Sequence, residues 1–357
     1  MNNSDSQQSN TFSNSLESAA PPSASPIRRV LITGASGAVG CAVANRFWQG
    51  GCRVRILDQM PFPEKYSDTQ PELFRGDITD PDLLRAAVKD VDLVVHMAAK
   101  LHINNPEPSL RAEYKRVNVE GTQRLVSAAS EAKVPRFIYF STICVYGPSV
   151  PPEILDERSP VNPDSWYAET KYEAEQIALR NMPAVVLRPA AIYGPRMKGN
   201  YLRLLRALRK GFFVGIGSGV NRRTLIFDED LAEAVYIAGM HTKGIGRIYN
   251  ATDGQIHTFQ TIVESMCQAL GRKPSRWRLP VAPVKAGARL AEIGFSLIGR
   301  RSPITCSIVD KVIEDVAVSG ARLERELSFV PRVRLLAGWQ KVTRAVFPEL
   351  ASTKVAS

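Results

Sequence analysis

From Arg28 onward the chain alternates short β-branched apolar runs with stretches whose apolar residues recur at helical spacing. Val30–Thr33, Arg53–Leu57, Leu73–Arg75, Leu93–His96, Phe137–Ser141 and Ala184–Arg188 read as strands. Several are apolar throughout rather than alternating, as in a parallel sheet covered on both faces. Between them, Asp80–Val88, opening on a Thr79-Asp80-Pro81 start signal, and Val117–Ala132 read as helices. This β-α-β repetition predicts an α/β fold, a doubly wound parallel Rossmann sheet with its ligand at the carboxyl ends of the strands.

After Pro195 the pattern changes. Asn200–Lys210 reads as a helix with Arg203, Arg206 and Arg209 on its polar face, followed by glycine-rich Gly211–Gly219. Thr224–Phe227 and Ile248–Ala251 read as further strands, and Trp277–Phe347 as mostly helical and basic. The expected organisation is a disordered polar tail over residues 1–26, a Rossmann domain over 27–195 and a smaller substrate lobe over 196–347. That lobe is interleaved with late Rossmann strands at 224–251, and a flexible end follows over 348–357. The Ser/Asn-rich start has neither a basic n-region nor an apolar h-region, so it reads as a tail and not as a signal peptide.

Composition narrows the class. Apolar residues make up 44% of the 357, which suits a globular chain, and no apolar run approaches the roughly 20 residues of a membrane span. Five cysteines without a CxxC pair predict reduced thiols and a cytoplasmic location; four scattered histidines suggest no metal. The formal charge of +11 fits an anionic small substrate or an acidic membrane surface at least as well as nucleic acid, for which no motif is present. Val284–Gly299 is an apolar stretch interrupted by Arg289 and Glu292, which favours a lid or core helix over peripheral membrane contact.

The candidate chemistry begins at Gly34-Ala-Ser-Gly37-Ala38-Val39-Gly40, a glycine turn between the first strand and a helix start, where backbone N–H groups can hold a pyrophosphate. Asp58, ending the second strand, is placed to bind ribose hydroxyls and repel a 2′-phosphate, so NAD is favoured over NADP. Arg53 and Arg55 leave NADP as the lesser alternative. Asp77 and Ile78 follow the third strand, where they can meet the adenine; Ala98 and Ala99 follow the fourth, where small residues let the cofactor approach. Thr142 follows the fifth strand, where a hydroxyl would face the nicotinamide. Tyr167 and Lys171 stand four residues apart, hence on one helix face, a phenol beside an ammonium.

With TGASGAVG, GDI, HMAA, VNVEGT, STICVYG, YAETK, LRPAAIYGP and NRRTLIFDEDLA in this order, the chain resembles the extended short-chain dehydrogenase/reductases, specifically the NAD-dependent epimerase/dehydratase family acting on nucleotide sugars. The resemblance covers about Arg28 to Phe347. It implies Thr142 as the catalytic hydroxyl, Tyr167 as base and Lys171 as its partner. Lys171 would hold the ribose and, with the nicotinamide's charge, lower the phenol's pKa. Asn118 would steady the active-site helix beside the cofactor, and Pro189 would close over the carboxamide. Asn200 and Arg223 would hold the diphosphate of the substrate, although Arg223-Thr224-Leu225 departs from the family's R-D-F. A homodimer is also implied.

In the 4,6-dehydratases of that family Asp-Glu follows the catalytic Thr; here Ile143 and Cys144 stand there, so dehydration is not expected. The resulting expectation is a nucleotide-sugar 4-epimerase or 4-keto reductase. The alternative is a 3β-hydroxysteroid-type or other small-alcohol dehydrogenase. A non-enzymatic dinucleotide sensor would have no need of Thr142, Tyr167 and Lys171.

Overall fold

The computed structural model describes residues 27–352 apart from 64–70, 102–106, 108, 212, 276, 299, 301, 303 and 304. The expected disordered tail over residues 1–26 lies outside the described residues. In chain order, the strands of the first half are β1 (Arg29–Thr33), β2 (Arg53–Asp58), β3 (Glu72–Arg75), β4 (Leu93–His96), β5 (Phe137–Phe140) and β6 (Ala184–Pro189). Those of the second are β7 (Ala191–Tyr193), β8 (Gly215–Ile216), β9 (Arg222–Phe227), β10 (Ile248–Ala251), β11 (Ile256–Thr258) and β12 (Arg278–Leu279). The first helices are α1 (Gly40–Gln49), α2 (Pro81–Val88), α3 (Leu110–Tyr114), α4 (Gly121–Glu131), α5 (Trp166–Asn181) and α6 (Asn200–Lys210). Then come α7 (Asp228–Met240), α8 (Phe259–Ala269), α9 (Val281–Leu297), α10 (Cys306–Ile313), α11 (Ala321–Leu327), α12 (Leu335–Val346) and α13 (Glu349–Ser352).

The main sheet runs β10-β6-β5-β4-β1-β2-β3, all parallel. Because side chains alternate across a strand, β1 sends Val30 and Ile32 into one core with α1 and α7, and Leu31 into another with α2, α4 and α5. That two-sided burial is why these strands read as unbroken apolar runs. The strand order reverses between β1 and β4, which opens a crevice at their carboxyl ends.

Four details differ from the sequence reading. The helix expected over Val117–Ala132 begins earlier, at α3, and passes through a π-helical stretch, Lys115–Glu120, before α4. Of the two strands expected to interleave with the Rossmann sheet, β10 joins it, whereas β9 belongs to a separate three-stranded sheet between β7 and β11. That small sheet covers a third core in which Tyr193 stacks on Trp339 at 4.6 Å. Within the end expected to be flexible over 348–357, Glu349–Ser352 form α13, with Glu349 paired to Arg209 on α6, and 353–357 lie outside the described residues. Finally, α9 is no core helix: only Ala288 of its 17 residues is buried. Among the described residues no helix is long and apolar enough to cross a membrane.

Candidate active site

The glycine turn is shaped by contact with β4. Gly34 has φ +75°, and a Cβ there would lie 2.7 Å from the Ala98 nitrogen, so only glycine fits. A Cβ on Gly40 would stand 2.5 Å from the Ala35 backbone, which fixes the start of α1 against the turn. Beneath, Thr33 Oγ1 accepts hydrogen bonds from the Met97 and Ala98 amides, both 3.2 Å, and bonds His96 Nδ1 at 2.7 Å. Burial, with Lys171 adding to it, drives the His96 imidazole down to about 3. His96 is therefore a neutral strut tying β1, β4 and Thr122 of α4, a role that the HMAA motif alone did not reveal.

Does the polypeptide fit a dinucleotide? The ends of α2, α5, α8 and α10 are capped by the side chains of Asp80, Ser165, Thr258 and Thr305. The N-terminus of α1 has no side-chain cap and no acid in its first turn, leaving its N–H groups for an anion. Asp58 is anchored by the Ser36 amide at 2.8 Å and the Met60 amide at 3.0 Å, with lone pairs left for ribose hydroxyls. At the carboxyl end of β5, Ser141 Oγ is buried without a partner among the described residues. The residues present fit the group.

The alternative arginines do not serve a 2′-phosphate. Arg53 lies at the opposite end of β2, and Arg55 is buried, held by Glu72 and by the carbonyls of Ala87 and Lys89. Arg75 stands in register with Asp58 on β3, and Arg196 donates to the Ser36 carbonyl beside it. NADH is expected to bind more tightly than NADPH in a fluorescence titration; the reverse order would mean that Arg75 overrides Asp58.

The adenine end departs from the simple picture. Asp77 bonds Thr79, Gln59 and Arg116, and although partial burial pushes its carboxyl up, the Thr79 and Arg116 contacts hold it below the usual range. Ile78 is buried in the core against Gly121, so it offers backbone rather than side chain to a ligand. Asn118, in the π-helical stretch, is likewise buried. Its amide bonds Lys100 N at 2.7 Å, Lys100 O at 3.2 Å and Thr170 Oγ1 at 3.1 Å. Both N–H groups are used, which makes it a positioning residue that ties α5 to the loop after β4. Widened π turns recur at functional sites, and here one turns an asparagine inward.

Thr142, Tyr167 and Lys171 come together. Thr142 caps the 3₁₀ turn Ile143–Tyr146, accepting from Cys144 N at 3.1 Å, and its hydroxyl hydrogen-bonds the Tyr167 phenol. Burial, then the nearby Cys144, push that phenol well above its ordinary value. One turn along α5, Lys171 lies over the Tyr139 ring at 4.3 Å, and burial lowers its pKa to about 7 while Glu175 pulls the other way. Glu175 in turn makes a bidentate pair with Arg188, the residue before Pro189. The sequence carried that signal as a third residue at the four-residue spacing, Tyr167-Lys171-Glu175. Thr142→Val is expected to lower kcat about 10²-fold, the scale of losing one donor at a developing charge, as steady-state kinetics would show.

Asn200 opens α6 behind Gly199, and Arg223 stands on β9 close to Tyr201 of that helix. Arg223 Nη2 donates to the carbonyls of Lys311, at 2.5 Å, and Val312, at 3.3 Å. Its neighbour Arg222 is locked to Asp315. Cys144 reaches solvent beside Tyr167, with Lys311, Asp164 and Glu314 as the charges around it; packing about the sulfur raises its thiol. α10 thus lies between the turn that Thr142 caps and Arg223, which the sequence did not foreshadow. Among the described residues no group of His, Cys, Asp and Glu is placed to hold a metal.

A glycine-turn crevice with a hydroxyl, a phenol and a buried amine gathered beyond the carboxyl end of β5 defines a short-chain dehydrogenase type of enzyme. The model of the NAD dependent epimerase/dehydratase family matches residues 30–252, and the chain belongs to that family. It is 33% identical over 259 residues to dTDP-D-glucose 4,6-dehydratase of Mus musculus, covering 66% of this chain and 71% of that protein. It is 26% identical over 290 residues to N-acetyl-alpha-D-glucosaminyl-diphospho-ditrans,octacis-undecaprenol 4-epimerase of Escherichia coli O157:H7, covering 79% and 84%. The fold is shared with MoeE5 in complex with UDP-glucuronic acid and NAD, at TM-score 0.72 and 23% identity over 90% of this chain and 99% of that one.

Proposed function

We propose that the protein is a nucleotide-sugar 4-epimerase or 4-keto reductase. The observation that carries this reading is the Tyr167 phenol bonded to Thr142 one turn from a buried Lys171, at the switch point of the sheet. Bound NAD would supply the hydride acceptor and a positive ring charge. Gly34, Gly37, Ala38, Val39 and Gly40 would hold its pyrophosphate, Asp58 its adenosine ribose and Lys171 its nicotinamide ribose. Asp77, Ala98, Ala99 and Pro189 shape the walls. On the substrate, Thr142 orients the C4 hydroxyl and Tyr167 removes its proton. Both known activities of relatives that act at C4 need these groups, whereas dehydration needs further carboxyls; Ile143 is buried and apolar and Cys144 is a thiol. Asn200 and Arg223 would receive the diphosphate.

A panel of UDP- and dTDP-sugars, incubated with and without added cofactor, tests the reaction. Sugar interconversion without net NADH change indicates the epimerase, and stoichiometric NAD(P)H consumption the reductase. A guanidinium can bind two phosphate oxygens at once. Arg223→Ala should therefore raise KM for the nucleotide sugar about tenfold or more, a loss of roughly 1.4 kcal/mol, with NADH binding unchanged. One observation favours a second reading, a hydroxysteroid-type or small-alcohol dehydrogenase: Arg223 already spends donors on two carbonyls. An unaltered KM in Arg223→Ala, with turnover of an uncharged hydroxysteroid, would select it.

A further inference from the structure

α9 turns the wrong face outward for a helix in water. Its inner side is Val284, Ala288, Ala291 and Phe295, buried or half-buried, and on the flank Lys285 pairs with Asp310 and Glu292 accepts from the Cys306 amide at 3.2 Å, both on α10. The outer side carries Ala282, Ala286, Leu290, Ile293 and Leu297, which fall on one stripe at helical spacing. Leu290 is 71% exposed, Ile293 54% and Leu297 83%, and Ile298 just beyond is 63% exposed. Arg289 is the single charged side chain among the exposed residues of this helix, and no acid lies on that face. An apolar stripe of this length, left unpartnered, marks an interaction surface.

The flanks decide the partner. Before the helix stands Trp277, 80% exposed, with Leu279 at 50%. Lys273 and Arg278 precede α9 as exposed cations and Arg300 follows it. From Gly271 to Arg301 the chain has eight lysines and arginines and one acid, Glu292, which is the residue turned inward. A protein partner matching the stripe would need only an apolar groove. A surface that takes apolar side chains, an indole and a one-signed rim of cations together is the headgroup boundary of an anionic bilayer.

We propose that α9, with Trp277 and the cations at its two ends, lies flat on an anionic lipid membrane. The 17-residue helix spans about 25 Å, enough to lie in the interface plane and too short to cross. Docking brings the substrate lobe to the lipid, because Val281 at the start of α9 lines a cavity of about 440 Å³ with Ile313, Arg222 and Asp315. The surface stands whichever substrate the site takes.

The test is sedimentation of the full chain with vesicles of phosphatidylcholine alone or mixed with phosphatidylglycerol, over a range of salt. Binding to the anionic vesicles at least about tenfold tighter than to the neutral ones, and weakening with salt, is expected. Leu290→Glu with Leu297→Glu, both exposed and therefore compatible with folding, should lose that binding about tenfold or more while the circular dichroism spectrum stays unchanged. Arg289→Glu with Arg300→Glu should remove the preference for the anionic lipid. Failure of the unaltered chain to sediment with either vesicle, or equal sedimentation of the Leu290→Glu/Leu297→Glu variant, overturns the proposal. So does a dimer that this variant splits in the absence of vesicle binding, since the face would then belong to a second copy.

Discussion

Tyr167→Phe is expected to lower kcat about 10³-fold and to leave NADH affinity within about twofold, the scale of removing a positioned general acid–base group. The ring stays packed on α5, so the fold and the crevice are untouched; only the hydroxyl bonded to Thr142 is lost. KM for the sugar should change little, because the phenol's contribution grows as the proton moves. Single-turnover kinetics with a saturating substrate separates this from a binding defect. A residual rate above a few per cent would assign the proton to another acid. Cys144 is the group to examine then, because it lies near the phenol and carries a transferable proton. If Cys144→Ser in the Tyr167→Phe background removed the remaining activity, the proton would be assigned to the 3₁₀ turn before α5.

Most of the sheet was legible because β1, β4, β5 and β6 are buried on both faces and therefore nearly apolar throughout. The glycine turn, Asp58 and the four-residue spacing of Tyr167 and Lys171 were legible for a related reason: each depends on backbone geometry local to one element. Contacts between distant elements were not. Nothing local announces that Asp77 would spend its oxygens on Thr79, Gln59 and Arg116, or that Ile78 would sink against Gly121. β9 has the apolar run of a Rossmann strand, but its partners are β7 and β11, which lie outside the main sheet. The periodicity of α9 is that of an amphipathic helix, and periodicity does not say which face meets the protein. Its orientation is set by α10, distant in sequence, where Asp310 pairs with Lys285 and the Cys306 amide donates to Glu292.

Glu175→Gln is expected to cost about 3–5 kcal/mol of folding stability, the penalty for leaving one member of a buried ion pair alone. Glu175 is 0% exposed and Arg188 2%, and the two meet through Nε–Oε2 at 3.0 Å and Nη2–Oε1 at 2.6 Å. Burial opposes the charge on Arg188, yet the Glu175 carboxylate holds its pKa above the ordinary value. Glu175 also supports the charge on Lys171, whose pKa burial has already brought to about 7. The glutamine is nearly isosteric, so packing survives; what disappears is the negative charge between two buried cations. Urea unfolding should show a lowered midpoint with an unchanged m-value. Removing both charges is a different change. Glu175→Leu with Arg188→Met fills similar volume and leaves no orphan, so the pair should be more stable than either single variant. The Lys171 titration in Glu175→Gln should move below its present position, because the one group that raised it is gone. A loss under about 1 kcal/mol in Glu175→Gln, or a double variant no better than the weaker single, would show that solvent reaches this pair and that α5 is held to β6 by packing alone.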